Sequence, residues 1–265
     1  MSDPHPEPHI EVRNLTMAYG SFVLMRDLEF TVNRRDVFVI MGGSGCGKST
    51  LMRHLIGLKE PAAGEIFYDG RSFTRADSGL REEMLRRFGV MYQSGALWSS
   101  LTLAENVSLP IEQYTRLDRA RVREIATYKL SLVGLGGFED FHPSEISGGM
   151  RKRAGIARAM ALDPEVLFLD EPSAGLDPLS ARRLDDLILH LRDSLGSTVV
   201  IVTHELASIF AVANNSVFLD VETRTQGAVG NPKHLRDHCQ NDRIRLFLNR
   251  GSSDHANPDP HSVSS

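Results

Sequence analysis

The chain is poor in cysteine, with only Cys46 and Cys239 among 265 residues. Two cysteines cannot build a disulfide framework. Cys46 also sits in a glycine-rich loop where a structural bridge would be awkward, so a reducing cytosol is the expected setting. Long apolar runs are missing as well. No stretch approaches the roughly 18 apolar residues of a membrane-spanning helix, and the amino terminus is rich in Pro and His rather than signal-like. Any membrane association is therefore expected to come through a partner. A basic excess is absent too: 30 Lys and Arg stand against 34 Asp and Glu, for a formal net charge of −4. That balance argues against a general nucleic-acid binder. What remains is a chain long enough to bury a substantial core, as one large domain or a domain with a subdomain.

Residues 1–9 and 251–265 read as loose polar tails around a domain spanning 10–250. Four short apolar runs lack alternation: Val37–Met41, Phe88–Tyr92, Val166–Leu169 and Val199–Val202. Such runs fit strands covered on both faces, as in a parallel α/β sheet. Ile10–Val12, Phe22–Leu24 and Leu28–Val32 suggest shorter strands of an antiparallel layer. The stretch from Leu101 to about Leu162 is expected to be mostly helical, centred on Arg119–Leu132, and reads as a helical subdomain over about 94–162.

Polar residues follow each buried run at once, and in open α/β sheets ligands sit beyond the carboxyl ends of the strands. After the first comes Gly42-Gly43-Ser44-Gly45-Cys46-Gly47-Lys48-Ser49-Thr50, a G-x-x-x-x-G-K-[ST] phosphate loop leading into a helix that Gly57 stops. Its glycines let backbone N–H groups close around phosphate oxygens, and the helix N-terminus adds partial positive charge. Lys48 is expected to reach the outer phosphates, and Ser49 to offer its hydroxyl to Mg²⁺. After the third run, Asp170 is placed to hold Mg²⁺ and Glu171 to polarise an attacking water as general base.

Ser147-Gly148-Gly149-Met150 forms a second anion-ready helix N-terminus. Arg151, Lys152 and Arg153 crowd its first turn, where the helix dipole disfavours cations by about 0.3–1 kcal/mol each. A nearby anion would offset that cost; a solvated basic turn is the plain alternative. With one triphosphate already cradled by the first loop, a head-to-tail dimer explains a second anion turn.

In these motifs the chain resembles the ATP-binding-cassette family over about residues 10–230, which implies a P-loop NTPase core with a mostly parallel sheet. The resemblance assigns Tyr19 to stacking on adenine and Gln93 to a loop that senses Mg²⁺ and the attacking water. It assigns Ser147, Gly148 and Gly149 to the signature turn and Asp170 and Glu171 to the Walker B pair. The D-loop falls on Ser173–Asp177, and the switch histidine on His204. One departure is that Met150 stands where the family has glutamine, and Ile146 where it has leucine. Within the family, Tyr92–Trp98 and Ser147–Arg153 look most like ATPases of Mla-type, MCE-linked phospholipid transport systems. That likeness implies a nucleotide-sandwich dimer, ATP with Mg²⁺, MlaE-like permease subunits, an MCE-domain protein and a small STAS-domain protein. It also implies the cytoplasmic face of a bacterial inner membrane and no nucleic acid.

Other readings stay open: a cassette powering another transporter, a non-transport cassette acting on DNA or ribosomes, and a module that binds ATP without turning it over. Trp98, with Leu97, Leu101 and Leu103, suits either a permease-docking surface or the helical subdomain's own core. Ile244, Phe247 and Leu248 share one face of a C-terminal helix that packs on its own domain or, with the tail, reaches a partner.

Overall fold

The computed structural model describes residues 7–249, so most of both expected tails, and Arg250, lie outside the described residues. The first strand starts at Pro8 rather than Ile10, because His9 is buried in it and hydrogen-bonds Thr198 at 2.7 Å. Two 12-residue strands, β1 (Pro8–Tyr19) and β2 (Phe22–Asn33), form an antiparallel pair. The three short upstream strands expected from sequence are thus two long ones. β1 also pairs with β4 (Ala63–Tyr68), which pairs with the short β5 (Arg71–Ser72).

The second sheet runs β10-β9-β3-β8-β7-β6. β3 (Val37–Gly42), β6 (Phe88–Met91), β7 (Val166–Asp170), β8 (Thr198–Val202) and β9 (Asn215–Asp220) are parallel; β10 (Thr225–Val229) runs antiparallel on the edge. Two cores explain the unbroken apolar runs. Phe38, Ile40, Phe168 and Val200 face the antiparallel layer and α1 (Lys48–Leu55). Val39, Met41, Leu167, Leu169 and Ile201 face the other helical layer. Strands with both faces in a core have no polar side to alternate with.

α2 (Ser78–Leu85) precedes β6. Between β6 and β7 lie α3 (Leu103–Tyr114), α4 (Arg119–Leu132), a 3-10 turn at Pro143–Glu145 and α5 (Gly148–Ala159). Side-chain caps set their starts: a Thr102–Glu105 capping box for α3, Asp118 for α4 and Ser147 for α5. α6 (Pro178–Leu195) follows the Asp177 cap and stops at Gly196 in the left-handed conformation, and α7 (Leu206–Val212) follows β8. α8 (Pro232–His238) and α9 (Asp242–Asn249) close the described chain.

At the amino ends of the parallel strands, an ion-paired clamp ties the two sheets together. Arg87 pairs with both Asp69 and Glu165, and Arg34 joins Asp69. The ligand atoms of His9, Asp69 and Glu165 come within 4.8 Å of one another. With both carboxylates already taken by guanidinium groups, this is a structural tie rather than a metal cradle. The opposite, carboxyl ends of β3, β8, β7 and β6 lie side by side in register, with Ile40 opposite Val202, Asp170 opposite Val202 and Met91 opposite Leu169.

Candidate functional site

Those four strand ends open into a cleft of about 720 Å³. Of the residues expected from sequence, Tyr19, Gly42, Gly43, Ser44, Gly45, Gly47, Lys48, Ser49, Thr50, Gln93, Glu171 and His204 line it together. The loop from Gly42 to Gly47 takes its shape from close packing. Gly42 has φ +148°, and a Cβ there would come within 2.6 Å of Leu219 O and 2.8 Å of Cys46 Sγ. Gly47, with φ +99°, caps α1 so that the helix amides point into the cleft. Lys48 Nζ donates to Gly42 O (3.1 Å) and Gly43 O (2.9 Å), which holds the ammonium over the loop.

Ser49 Oγ donates to Asp170 Oδ1 at 3.2 Å. Burial is the main force raising the Asp170 carboxyl above its usual range; the Ser49 bond opposes it and the Glu171 charge adds to it. A hydroxyl and a half-buried carboxylate side by side form a hard-oxygen set that fits Mg²⁺. Glu171 sits at φ +48°, an uncommon conformation for a non-glycine residue, with its N–H bonded to Val202 O at 2.8 Å. Its Oε1 lies 2.8 Å from His204 Nδ1, while its buried Oε2 has no hydrogen-bond partner among the described residues. A carboxylate held at one oxygen and free at the other can take a proton from a water in the cleft.

Tyr19 is half exposed at the cleft's rim. Its hydroxyl is 3.2 Å from Thr50 Oγ1, and Lys59 Nζ lies 3.0 Å from its ring centroid. The Thr50 bond, above all, lowers the phenol's pKa. One ring face thus carries a cation while the ring is held in place for stacking.

Several expected residues lie elsewhere. Cys46 does not line the cleft. Its side chain is fully buried in the core behind the loop, and burial raises its thiol, so only its backbone can serve a phosphate. Asp177 does not line the cleft; its carboxylate accepts from Leu179 N (3.1 Å) and Ser180 N (3.0 Å) as the α6 cap. Ser147 and Gly149 line a separate cavity of about 440 Å³ with Leu176 and Arg183. Within one chain, then, the serine-glycine turn and the phosphate loop do not share a site.

The basic triplet after that turn has partners of its own. Arg151 Nη1 donates to Ile146 O (2.7 Å), Lys152 Nζ to Glu171 O (3.1 Å) and Ala174 O (2.6 Å), and Arg153 Nη1 to Val133 O and Gly134 O (both 3.1 Å). Val133 caps the C-terminus of α4, where carbonyls carry partial negative charge. Backbone carbonyls thus offset the cost of three cations in the first turn of α5.

The surroundings of Trp98 divide between the two readings. Leu103 is fully buried and Leu97 packs on the core, while Trp98 is 64% exposed. Buried Asn106 fixes that turn by accepting from Trp98 N (2.7 Å) and donating to Trp98 O and Leu101 O.

Sequence reasoning did not place Leu24, Leu206 and Phe247 on the cleft. The spacing of Ile244, Phe247 and Leu248 gave α9 its apolar face, and Ile244 and Leu248 are buried as that face predicts. Phe247 packs edge-on against Phe218 (5.2 Å) and reaches the cleft from there. Only the fold, which returns the C-terminal helix to β9, supplies that contact.

A family model described as "ABC transporter" matches residues 25–174. The probable ribonucleotide transport ATP-binding protein mkl of Mycobacterium tuberculosis is 38% identical over 240 residues, covering 91% of this chain and 66% of its own length. The chain thus spans just under two thirds of that relative. The intermembrane phospholipid transport system ATP-binding protein MlaF of Haemophilus influenzae is 39% identical over 205 residues, covering 77% of this chain and 78% of its own. Among solved structures, the dimeric ATP-binding cassette MJ0796 bound to ADP and Pi superposes with a TM-score of 0.75. It is 26% identical and covers 84% of this chain and 98% of its own.

Proposed function

The chain belongs to the ABC transporter family, and from that premise we propose that it is the ATPase of a phospholipid transport system working with an MCE-type complex. ABC ATPases hydrolyse ATP, and the observation that carries this chemistry here is the Glu171–His204 pair with its free, buried Oε2. ATP enters the cleft with its phosphates on the amides of Gly42–Thr50 and on Lys48, and with its base against Tyr19. Ser49, Asp170 and Gln93 would hold Mg²⁺, which when bound spreads the negative charge of the phosphates. Glu171 Oε2 accepts a proton as the water oxygen attacks the γ-phosphorus and the β–γ bridging bond breaks, leaving ADP and phosphate. His204 holds Oε1 and fixes the direction of the other oxygen.

The Ser147-Gly148-Gly149 turn of a second copy completes the site over the γ-phosphate. Its separation from the cleft within one chain supports that reading. ATP favours the closed pair only as far as it binds that form better, and hydrolysis reopens it. Permease subunits convert the motion to lipid movement, and exposed Trp98 suits a place facing them at the cytoplasmic face of an inner membrane.

The phospholipid reading draws its support from the MlaF relatives, matched across most of both chains. A second reading, the ATPase of a small-solute importer, is favoured by a glycine betaine transport ATP-binding protein of Bacillus subtilis. That protein is 35% identical over 89% of this chain. Purifying the chain from detergent-solubilised membranes tests the choice. Co-purification of an MCE protein and a small STAS protein is expected; a solute-importer permease in their place would overturn the phospholipid reading.

A further inference from the structure

Between α6 and α7 the surface opens into a groove of about 690 Å³, and Asp185 forms part of its wall at 5% exposure. The charged groups around the groove are Arg182 and Asp186 on α6 and Glu205 ahead of α7. Among the described residues none makes an ion pair with Asp185. Its partner is instead Ser208 on α7, whose hydroxyl donates to Asp185 Oδ2 at 2.9 Å and lies 3.2 Å from Ser173 Oγ. A serine hydroxyl has one proton. With that proton on the carboxylate, Ser208 can only accept from Ser173, so the chain of bonds runs Ser173 to Ser208 to Asp185.

The placement of these three buried groups gives the chain its meaning. Ser173 lies two residues after Glu171, in the loop that leads to α6. Ser208 lies four residues after His204, on the helix that His204 precedes. Lys152 grips the same loop from α5, through Glu171 O and Ala174 O. The loop is therefore held on one side by a cation on its carbonyls and on the other by a hydroxyl relay ending in a buried acid.

The geometry points to Asp185 as a positioning residue for ATP hydrolysis, fixing through Ser208 and Ser173 the loop that carries Glu171 against the helix that follows His204. The inference rests on the reading of Glu171 and His204 given above. Asp185 touches no nucleotide; it acts only through the two serines. Burial raises its carboxyl to about 6; the Ser208 bond opposes the shift and the Asp186 charge adds to it. Ionised, the carboxylate can only accept, and the relay has one direction. Protonated, it can donate to Ser208, which frees the Ser173 hydroxyl and slackens the loop. A purely structural link would lower stability when cut but leave turnover and its pH dependence alone.

Steady-state ATPase kinetics of the full chain from pH 5.5 to 8.5 test this. Asp185→Asn and Ser208→Ala are expected to lower kcat about five- to tenfold at pH 8 with KM for ATP within about twofold. The double variant should be no worse than either single change, because both act on one chain: the amide removes the charge and the titration, and the alanine removes the hydroxyl. Ser208→Thr, which keeps the hydroxyl, should restore most of kcat, and Asp185→Asn should lose the inflection near pH 6 expected of the parent. Superimposable pH profiles, or a lower Tm with unchanged kcat, overturn the inference. If Asp185→Asn does not fold, Ser173→Ala reads the other end of the chain by the same criteria. Glu171→Gln is run alongside. If it still hydrolyses ATP, the reading of the site falls and the inference with it; if it is inactive beside an unaffected Asp185→Asn, only the inference falls.

Discussion

His204 Nδ1 lies 2.8 Å from Glu171 Oε1, at the ends of neighbouring parallel strands. The contact fixes Glu171 at one oxygen and leaves the buried Oε2 unpartnered among the described residues, beside the cleft that Glu171 lines. Removing the ring frees the carboxylate to turn while the phosphate loop stays intact. His204→Ala is accordingly expected to lower kcat at least tenfold, with ATP affinity within about threefold. Single-turnover hydrolysis beside equilibrium nucleotide binding checks this; equal losses in both would place His204 in binding instead.

Lys48 is held over the loop by Gly42 O and Gly43 O. Those carbonyls do not need the ammonium for their own stability, since the loop's shape comes from its glycines. Lys48→Ala should therefore fold normally and lose at least about 3 kcal/mol of ATP binding, roughly a hundredfold or more. Isothermal titration calorimetry with ATP measures it.

The Tyr19 ring and its hydroxyl do different work. Tyr19→Phe removes the Thr50 bond but keeps the ring and its cation neighbour, so ATP affinity should change by less than about threefold. Tyr19→Ala removes the stacking face and should weaken ATP by about 1–2 kcal/mol. A fluorescent nucleotide titration separates the two, and equal losses would contradict the stacking role.

His9 and His54 are both buried, and burial first of all holds both below the ordinary histidine value of 6.5. Each folded pKa is thus lower than its unfolded one. The stability they contribute is present above pH 6.5 and lost as pH falls through the folded values. His54 also has an orphaned Nε2, while its Nδ1 bonds Lys59 O at 2.8 Å. His54→Asn keeps a donor for Lys59 O and removes the titrating ring. Urea midpoints at pH 7.5 and 5.5 should show a smaller acid loss in this variant than in the parent.

Lys152 joins α5 to the loop after Glu171 and is itself buried, with burial lowering its pKa. Lys152→Met keeps the aliphatic stem but leaves Ala174 O without its donor. It is expected to cost about 1–3 kcal/mol of stability and to lower kcat more than it raises KM. Chemical denaturation and steady-state kinetics check both parts.

The sequence exposed the parts of this molecule that local chemistry dictates. The four central strands, and helix Arg119–Leu132 to the residue, were legible because each is an apolar run or a capped periodic segment. In sequence the antiparallel layer shows only fragments, because bulges break its alternation. Asn14 adopts φ +49°, and the β1–β2 register shifts between Val12 and Leu15. β10, Thr225–Val229, carries no pattern of its own; its pairing with β9 makes it a strand. In the site, motif order located the phosphate loop, Glu171 and His204. It could not reveal that Arg151, Lys152 and Arg153 spend their charge on carbonyls, nor that Asp185 lies behind the loop, since both depend on segments distant in sequence.

The central claim is that two copies build each ATP site, with the phosphate loop of one and the Ser147-Gly148-Gly149 turn of the other. Light scattering coupled to size exclusion on Glu171→Gln, with and without ATP and Mg²⁺, tests it most directly. The expected result is a monomer without nucleotide and an ATP-held dimer that Ser147→Arg abolishes while ATP binding to the monomer persists. A Glu171→Gln chain that binds ATP and stays monomeric, or a dimer indifferent to Ser147→Arg, would contradict it.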